Sequence, residues 1–341
     1  MVLESSLPLP TRQASDSSRS RAARWLVWSV LAVVVTVLAP TLCSARVIAV
    51  SSQALMFGFL AMGTGFIHKH SGLLSFGHAV WFGLAGYSVG ILATFSGLPI
   101  ELAIAIGLVL VVALAALVAM VIMRSPGIAF SMLTLAINVA VFELFNRMRG
   151  ATGGADGFSI ALPETIFGVP TTSLQSPQTM FVIMGITTIV TVGALTLFER
   201  SHLGQLTLAI RENPERARFI GYDIYWPRVI VFVISAALAA IGGLLFTLYT
   251  GFVSPEVLGF MTSGQAMIMA MVGGTAAAWG PVAGALMFFL VRDRVTFLGD
   301  HWMLPLGSAL IVVMAVWPTG LVGAADFVSR RIRGAARRLH G

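Results

Sequence analysis

The chain has 341 residues, 57% hydrophobic and only 10% charged, with a formal net charge of +7. Soluble domains carry about 25% charged residues, so this composition excludes a sizeable soluble domain and predicts one all-α polytopic membrane protein. The positive charge, almost all arginine, sits where positive-inside topology wants it, which argues against nucleic-acid binding.

Residues 1–24 read as a disordered polar tail with Pro8 and Pro10, held in the cytoplasm by Arg12, Arg19, Arg21 and Arg24. The apolar run Trp25–Leu42 reads as an uncleaved first span rather than a signal peptide, because its leader is long and further spans follow at once. Cys43 is the single cysteine, so an internal disulfide is excluded, and Leu42 before it argues against lipoprotein cleavage. The second span is Val47–Ile67, followed by His68-Lys69-His70 at a cytoplasmic membrane surface. Gly72–Phe95 carries five glycines and reads as a span entered through a broken piece, which must then be buried in protein. Gly86 and Gly90 form a small-xxx-small pair for close helix contact. Leu102–Met123 is the clearest span: 22 uncharged residues, about 33 Å as helix against a core of about 30 Å. After a turn at Arg124-Ser125-Pro126-Gly127, a fifth span covers Ile128–Phe145. Arg147–Gln178, with Thr152-Gly153-Gly154-Ala155-Asp156-Gly157 inside it, reads as an external loop. The sixth span is Thr179–Leu197.

Phe198–Arg228 is the longest polar interruption of the apolar region and carries Arg200, Arg211, Arg216, Arg218 and Arg228. Leu203, Leu206 and Ile210 share one side of a helix. Asn213 offers an N-cap oxygen and Pro214 fits the first helical position. Glu215 suits the first turn and Gly221 the left-handed end. The prediction is two short helices bent at Asn213–Pro214, forming a cytoplasmic coupling loop over residues 198–228. Its docking surface is expected at Leu206, Ile210, Arg211, Glu212, Arg216 and Ala217.

Val229–Tyr249 is the seventh span, with an outer loop over 250–261. Gln265–Trp279 and Gly280–Phe297 are Gly-rich eighth and ninth spans, with Gly280 and Gly284 as a second small-xxx-small pair. Trp302–Leu321 is the tenth, and the basic tail 324–341 returns to the cytoplasm. Ten spans with both termini cytoplasmic satisfy the charges; eight remain the alternative if the Gly-rich pieces do not cross. The transmembrane domain is thus 25–323.

The chemistry is notable for what is missing. A phosphate-binding loop needs G-x-x-x-x-G-K-[ST], and the one lysine, Lys69, lies in no such pattern. Any ATP use therefore belongs to a partner subunit. Glu101 reads as a helix-dipole partner, Glu143 as half of a span-end ion pair, and Arg292, Asp293 and Arg294 as mutually neutralising. His78, in the Gly-rich segment, is expected to hydrogen-bond a broken helix end or to line a solute pathway. His68, His70 and His78 make a poor metal set with no carboxylate near. No catalytic or cofactor pattern appears.

Leu74-Ser75-Phe76-Gly77-His78-Ala79-Val80-Trp81-Phe82-Gly83-Leu84-Ala85-Gly86-Tyr87 resembles a motif of the LivM-type permeases of bacterial branched-chain amino acid ABC importers. Met132-Leu133-Thr134-Leu135-Ala136, Thr152–Gly157, the stretch from Gly204 through Ala217 to Gly221-Tyr222, Ser254-Pro255-Glu256, Gly273-Gly274-Thr275, Trp279-Gly280-Pro281 and Pro318–Leu321 follow in family order, from about residue 50 to 323. The resemblance implies a permease of the bacterial inner membrane working by alternating access. Its partners would be two ATPase subunits, a second, homologous permease and a periplasmic substrate-binding protein, in the lipid bilayer. The loop at 204–222 matches the family's ATPase contact. Many relatives carry Glu or Gln after the LTLA stretch, where this chain has Asn138 and Val139; Asn138 is a second candidate pathway residue. The family spans leucine-type amino acids, urea and other small amides or acids. The competing function is a facilitative channel for urea or a similar neutral solute, which has no use for a capped two-helix docking element.

Overall fold

A computed structural model of the chain describes residues 32–34, 36–125, 127–295, 307–308 and 320–323. The tail 1–24, most of the tenth span and the tail 324–341 lie outside the described residues. Helix α1 (Ala32–Leu42) covers the end of the first predicted span. Then come α2 (Ala45–Ser71), α3 (His78–Phe95), α4 (Ile100–Ile122), α5 (Gly127–Arg147) and a single turn, α6 (Arg149–Thr152). After the short α7 (Thr171–Leu174) follow α8 (Pro177–Arg200), α9 (His202–Glu212), α10 (Pro214–Phe219), α11 (Tyr225–Thr250), α12 (Phe260–Gly273) and α13 (Gly280–Val295). Among the described residues, α2, α3, α4, α5, α8 and α11 are long and apolar enough to cross a membrane. The expected eighth span is a shorter helix, α12, with 14 residues, and 16 residues of the expected ninth span are described, as α13. At 1.5 Å per residue α12 is about 21 Å long, less than a hydrocarbon core of about 30 Å.

The centre of the bundle is α2, α3 and α11. Antiparallel α2 and α11 meet where their side chains are smallest. A Cβ on Gly63 would lie 2.5 Å from the Ser235 carbonyl oxygen, and one on Gly242 2.6 Å from that of Met56. At Gly243 the α3 backbone takes the same place: a Cβ there would come 1.8 Å from the Phe82 carbonyl oxygen. Phe57 fills the space beside this crossing, against the rings of Phe82, Phe246 and Phe289. The Gly280/Gly284 pair makes backbone contact between α12 and α13, with Gly273 against the Gly280 carbonyl and Gly284 against that of Met269. Gly86 and Gly90 instead receive Thr247 and the loop residues Phe158 and Ile160.

Two interruptions lie inside the bundle. Residues 72–77 run without helix between α2 and α3, and 274–279 between α12 and α13. His78 opens α3 beside Gly63, eight residues before the end of α2 and so about 12 Å along it. The broken entry expected before α3 is therefore real, and its backbone is satisfied by side chains. Ser131 Oγ donates to the Leu74 carbonyl at 2.7 Å, Phe76 N–H donates to Thr134 Oγ1 at 3.2 Å, and Ala79 N–H to Ser263 Oγ at 3.0 Å. Ser131 and Thr134 lie three apart on α5, one helix face.

The 147–176 segment carries its own small structure. Strand β1 (Phe158–Ser159) pairs antiparallel with β4 (Phe252–Val253), and β2 (Thr165–Ile166) with β3 (Val169–Pro170). Phe167 and Gly168 link β2 and β3 with positive φ at both residues (49° and 76°), the two-residue turn that suits strand twist. Glu101, read from sequence as a dipole partner, accepts the Phe167 N–H at 3.1 Å.

Candidate coupling site and bundle core

The two-helix element forms as its caps dictate. Ser201 Oγ accepts from Gly204 N–H at 3.2 Å and Asn213 Oδ1 from Arg216 N–H at 2.9 Å, capping α9 and α10 in turn. Pro214 begins α10, and Gly221 turns at φ 92°. The expected docking residues divide into two sets. Ile210 and Ala217 are buried with Ile224, and Leu206 packs on them, forming a small core within the element. Ile210 and Ala217 thereby hold the elbow together, while Leu206 is half-buried. Periodicity showed that they share a face; it could not show that Ile224, returning after Gly221, closes that face. Arg211 also turns inward, its Nη1 donating to the Lys69 carbonyl at 2.9 Å. Glu212 and Arg216 are exposed. Sequence reasoning missed the most prominent apolar groups of the element, Phe219 at 90% exposure and Ile220 at 68%. Both lie past the periodic run, at the tip of α10.

Beneath the element lies the last turn of α2. His68, Lys69 and His70, expected at a membrane surface, are the end of α2 packed under α9. His70 is buried, and its Nδ1 stands 2.7 Å from Thr207 Oγ1. The Thr207 hydroxyl donates to the Gly204 carbonyl, which leaves the imidazole N–H as the donor to it. Lys69 Nζ lies 2.6 Å from Glu199 Oε1 and donates to the Ala276 carbonyl at 2.7 Å.

Of the candidate pathway residues, His78 is fully buried, with Nδ1 2.7 Å from Ser75 Oγ and Nε2 3.0 Å from Ser235 Oγ. Ser235 donates to the Phe232 carbonyl at 2.7 Å. Nε2–H is then the donor to Ser235, and Nδ1 accepts from Ser75. The ring clasps the broken entry of α3 to α11. Asn138 is also buried; its Nδ2 donates to the Leu258 carbonyl at 2.9 Å and reaches Ser263 Oγ at 3.4 Å. The two residues act on either side of the α3 start and do not touch one polar group in common. Asn138 Oδ1 has no hydrogen-bond partner among the described residues.

Two further ion pairs lie elsewhere among the described residues. Glu143 and Arg147 form the expected span-end ion pair, 3.2 Å apart. Asp293, expected to be neutralised by its neighbours in sequence, is instead bound by Arg46 at 2.9 Å. Two spaces open along the α2–α12 seam. A cavity of about 10 Å³ is lined by Thr64, His68, Ser75 and Thr275 together with Leu74, Met267, Ala270 and Met271, room for about one water. A recess of about 240 Å³ lies nearer the opposite end of the bundle. Phe57 and Phe246 form its floor, with Thr250, Ser254, Glu256, Thr262 and Gln265 around it.

A family model described as "Branched-chain amino acid transport system / permease component" matches residues 46–317. The chain belongs to this family. It is thus a multi-pass membrane permease component rather than an enzyme in itself. It is 25% identical over 320 residues to the high-affinity branched-chain amino acid transport system permease protein LivM of Escherichia coli, covering 87% of this chain and 75% of that one. The LivM protein of Salmonella typhimurium is 24% identical, over 85% of this chain and 73% of its own. LivH of Salmonella typhimurium, a second permease of the same named system, is 29% identical over 56% of this chain and 63% of its own. No solved structure matches the chain. The matched span nearly coincides with the stretch that carries the LivM resemblance.

Proposed function

We propose that this chain is a permease subunit of an ATP-driven importer for a branched-chain amino acid or a related small solute in the bacterial inner membrane. The observation that carries this reading is the capped α9–α10 element, closed on its own core and presenting Phe219 and Ile220 to the outside. Two large apolar side chains at the tip of a polar elbow call for a protein partner, and the absence of a phosphate-binding loop from the sequence calls for that partner to be the ATPase.

Charge orients the bundle. The α9–α10 end carries Lys69, Arg124, Arg200, Arg211, Arg216, Arg218 and Arg228 against Glu199, Glu212, Glu215 and Asp223. At the other end acids outnumber bases: Glu101, Glu143, Asp156, Glu164, Glu256 and Asp293 against Arg46, Arg147, Arg149, Arg292 and Arg294. The positive-inside rule counts only lysine and arginine, and seven at the elbow end against five at the other support a cytoplasmic elbow. The outer recess joins an apolar floor to the Glu256 carboxylate, a pairing that suits a solute with an apolar body and an ammonium group. The 10 Å³ cavity nearer the elbow has room for about one water. The LivM and LivH names support a second, homologous permease beside this one; two ATPases below and a periplasmic binding protein above complete the proposed assembly.

The test is Phe219→Asp combined with Ile220→Asp. The ATPase subunits should be lost from the purified assembly by at least about tenfold, the factor equivalent to 1.4 kcal/mol, while the thermal midpoint of the permease is unchanged because neither side chain is packed. Full ATPase recovery sinks the docking surface. Leucine uptake by vesicles without ATP sinks the importer in favour of a channel.

A further inference from the structure

We infer that Lys69 is a positioning residue that ties both interrupted segments of the bundle to the elbow, so that movement of the elbow reaches them together. The inference rests on the coupling role proposed above and concerns how the push travels inward. Lys69 is the chain's one lysine. Its ammonium bridges Glu199, at the end of α8 where the elbow begins, and the Ala276 carbonyl, inside the 274–279 interruption. These groups are 77 residues apart in sequence, and one side chain holds both. An ammonium has three donors, and two are spent on this bridge. The Lys69 side chain is only 14% exposed and its bond to Glu199 is half-buried, whereas the Ala276 carbonyl it also holds lies at the exposed rim of the 274–279 segment.

The same turn of helix holds the other interruption. The Lys69 carbonyl accepts from Arg211 on α9, and the next residue, His70, bonds Thr207 on α9. Ser71 ends α2, and Gly72, at φ 67°, leads straight into 72–77. The Arg211 side chain lies against Gly72, 3.5 Å from where its Cβ would be. No flexible linker separates α9 from the 72–77 backbone, and that backbone is fastened in turn to α5 by Ser131 and Thr134. A shift of α9 is thereby passed to 72–77 through the peptide chain and to 274–279 through the Lys69 ammonium. Between these two segments lies the 10 Å³ cavity, lined by Leu74 and Ser75 from one and Thr275 from the other. Lys69 thus joins the two segments that flank this cavity.

The test uses the full assembly with its ATPase subunits in proteoliposomes, on a Cys43→Ser background with Phe76→Cys as a reporter in the half-buried 72–77 segment. The readout is the rate of maleimide labelling with and without ATP, which requires no knowledge of the solute. With Lys69 in place, ATP should change the rate by at least about fivefold, the lower end of typical inter-site coupling. Lys69→Met keeps the length and packing of the side chain but loses both bonds. It should abolish the ATP response while ATPase subunits stay bound and hydrolysis continues, and Lys69→Arg should restore part of the response. Glu199→Gln, which keeps an acceptor without its charge, should give an intermediate response. An undiminished response in Lys69→Met overturns the inference, as does loss of the ATPase subunits in that variant, which would make Lys69 a prop of the docking surface. No ATP response with Lys69 in place overturns the coupling role itself, and this inference with it.

Discussion

The inner helices α2, α3 and α11 and the outer helices α4, α5 and α8 obey opposite sequence rules. In their most apolar windows, 67%, 61% and 61% of the inner residues are buried, against 22%, 17% and 22% of the outer ones. Yet α4 has the highest mean hydropathy of the six, 3.1, and α3 the lowest, 1.3. In water the most apolar helix would be innermost. In lipid there is no gain from hiding leucine from a hydrocarbon solvent, so association falls to close backbone approach and hydrogen bonds. The centre of this protein accordingly collects Gly63, Gly242 and Gly243, with Ser75, His78 and Ser235 bonded among them. Helix α11 is both apolar, at 2.7, and buried; its Ser235, Ala236, Ala239, Ala240, Gly242 and Gly243 give it a small-residue face despite that hydropathy.

The sharpest way to break this comparison is to add one methyl group on each side of it. Gly243→Ala places a carbon against the Phe82 carbonyl, and because the obstacle is backbone, no rotamer change relieves it. The loss should reach or exceed the about 1–3 kcal/mol of ordinary overpacking, read as a large fall in the thermal midpoint in detergent or as failure to recover monodisperse protein. Gly193→Ala on α8, where a Cβ meets nothing within 4 Å, should be neutral or gain up to about 1 kcal/mol from helix propensity. Equal effects at the two glycines would refute the division into packing and lipid-facing helices.

This division also marks how far the sequence could be read. The long outer helix at Leu102–Met123 was plain because hydropathy alone defines it, and it appears as Ile100–Ile122. The elbow was equally plain because Asn213, Pro214 and Gly221 are local signals, each acting within a few residues. What stayed hidden depends on distance in sequence. Nothing near Leu74 announces that Ser131 will satisfy its carbonyl, and nothing near Asp293 points to Arg46, 247 residues away. The burial of Ile210 and Ala217 stayed hidden for a related reason: an amphipathic stripe states that it will be covered, and leaves open by what.

His78 sharpens the comparison in polar terms. Replacing it with Ala removes a partner from Ser75 and from Ser235 at the centre, in surroundings where no water takes over. Stranding buried polar groups costs about 1–3 kcal/mol, so His78→Ala should lower the thermal midpoint by several degrees, and His78→Gln should recover part of that. On α8, Thr187 bonds only the Ile183 carbonyl of its own helix, and Thr187→Val keeps its shape. That change should fall within about 0.5 kcal/mol of zero. A His78→Ala protein as stable as its parent would show that the broken entry of α3 is held by its glycine contacts alone.

The smallest effect is expected at the Arg46–Asp293 ion pair, where the same contrast of inside and outside reappears beside Lys69–Glu199. Arg46 bonds Asp293 at 2.9 Å, but its side chain is 72% exposed and that of Asp293 21%; Lys69 and Glu199 are 14% and 22% exposed. Exposed pairs contribute about 0–1 kcal/mol, since water solvates both charges and ordering a long side chain offsets the attraction. Arg46→Ala should therefore shift the thermal midpoint by no more than a few degrees, and added salt, which screens exposed charges over about 10 Å or less, should shrink even that difference. A large, salt-insensitive loss would mean that Arg46 clamps the start of α2 to the end of α13 as firmly as Lys69 holds the other end of α2, and that the outer end of the bundle is built as tightly as the inner one.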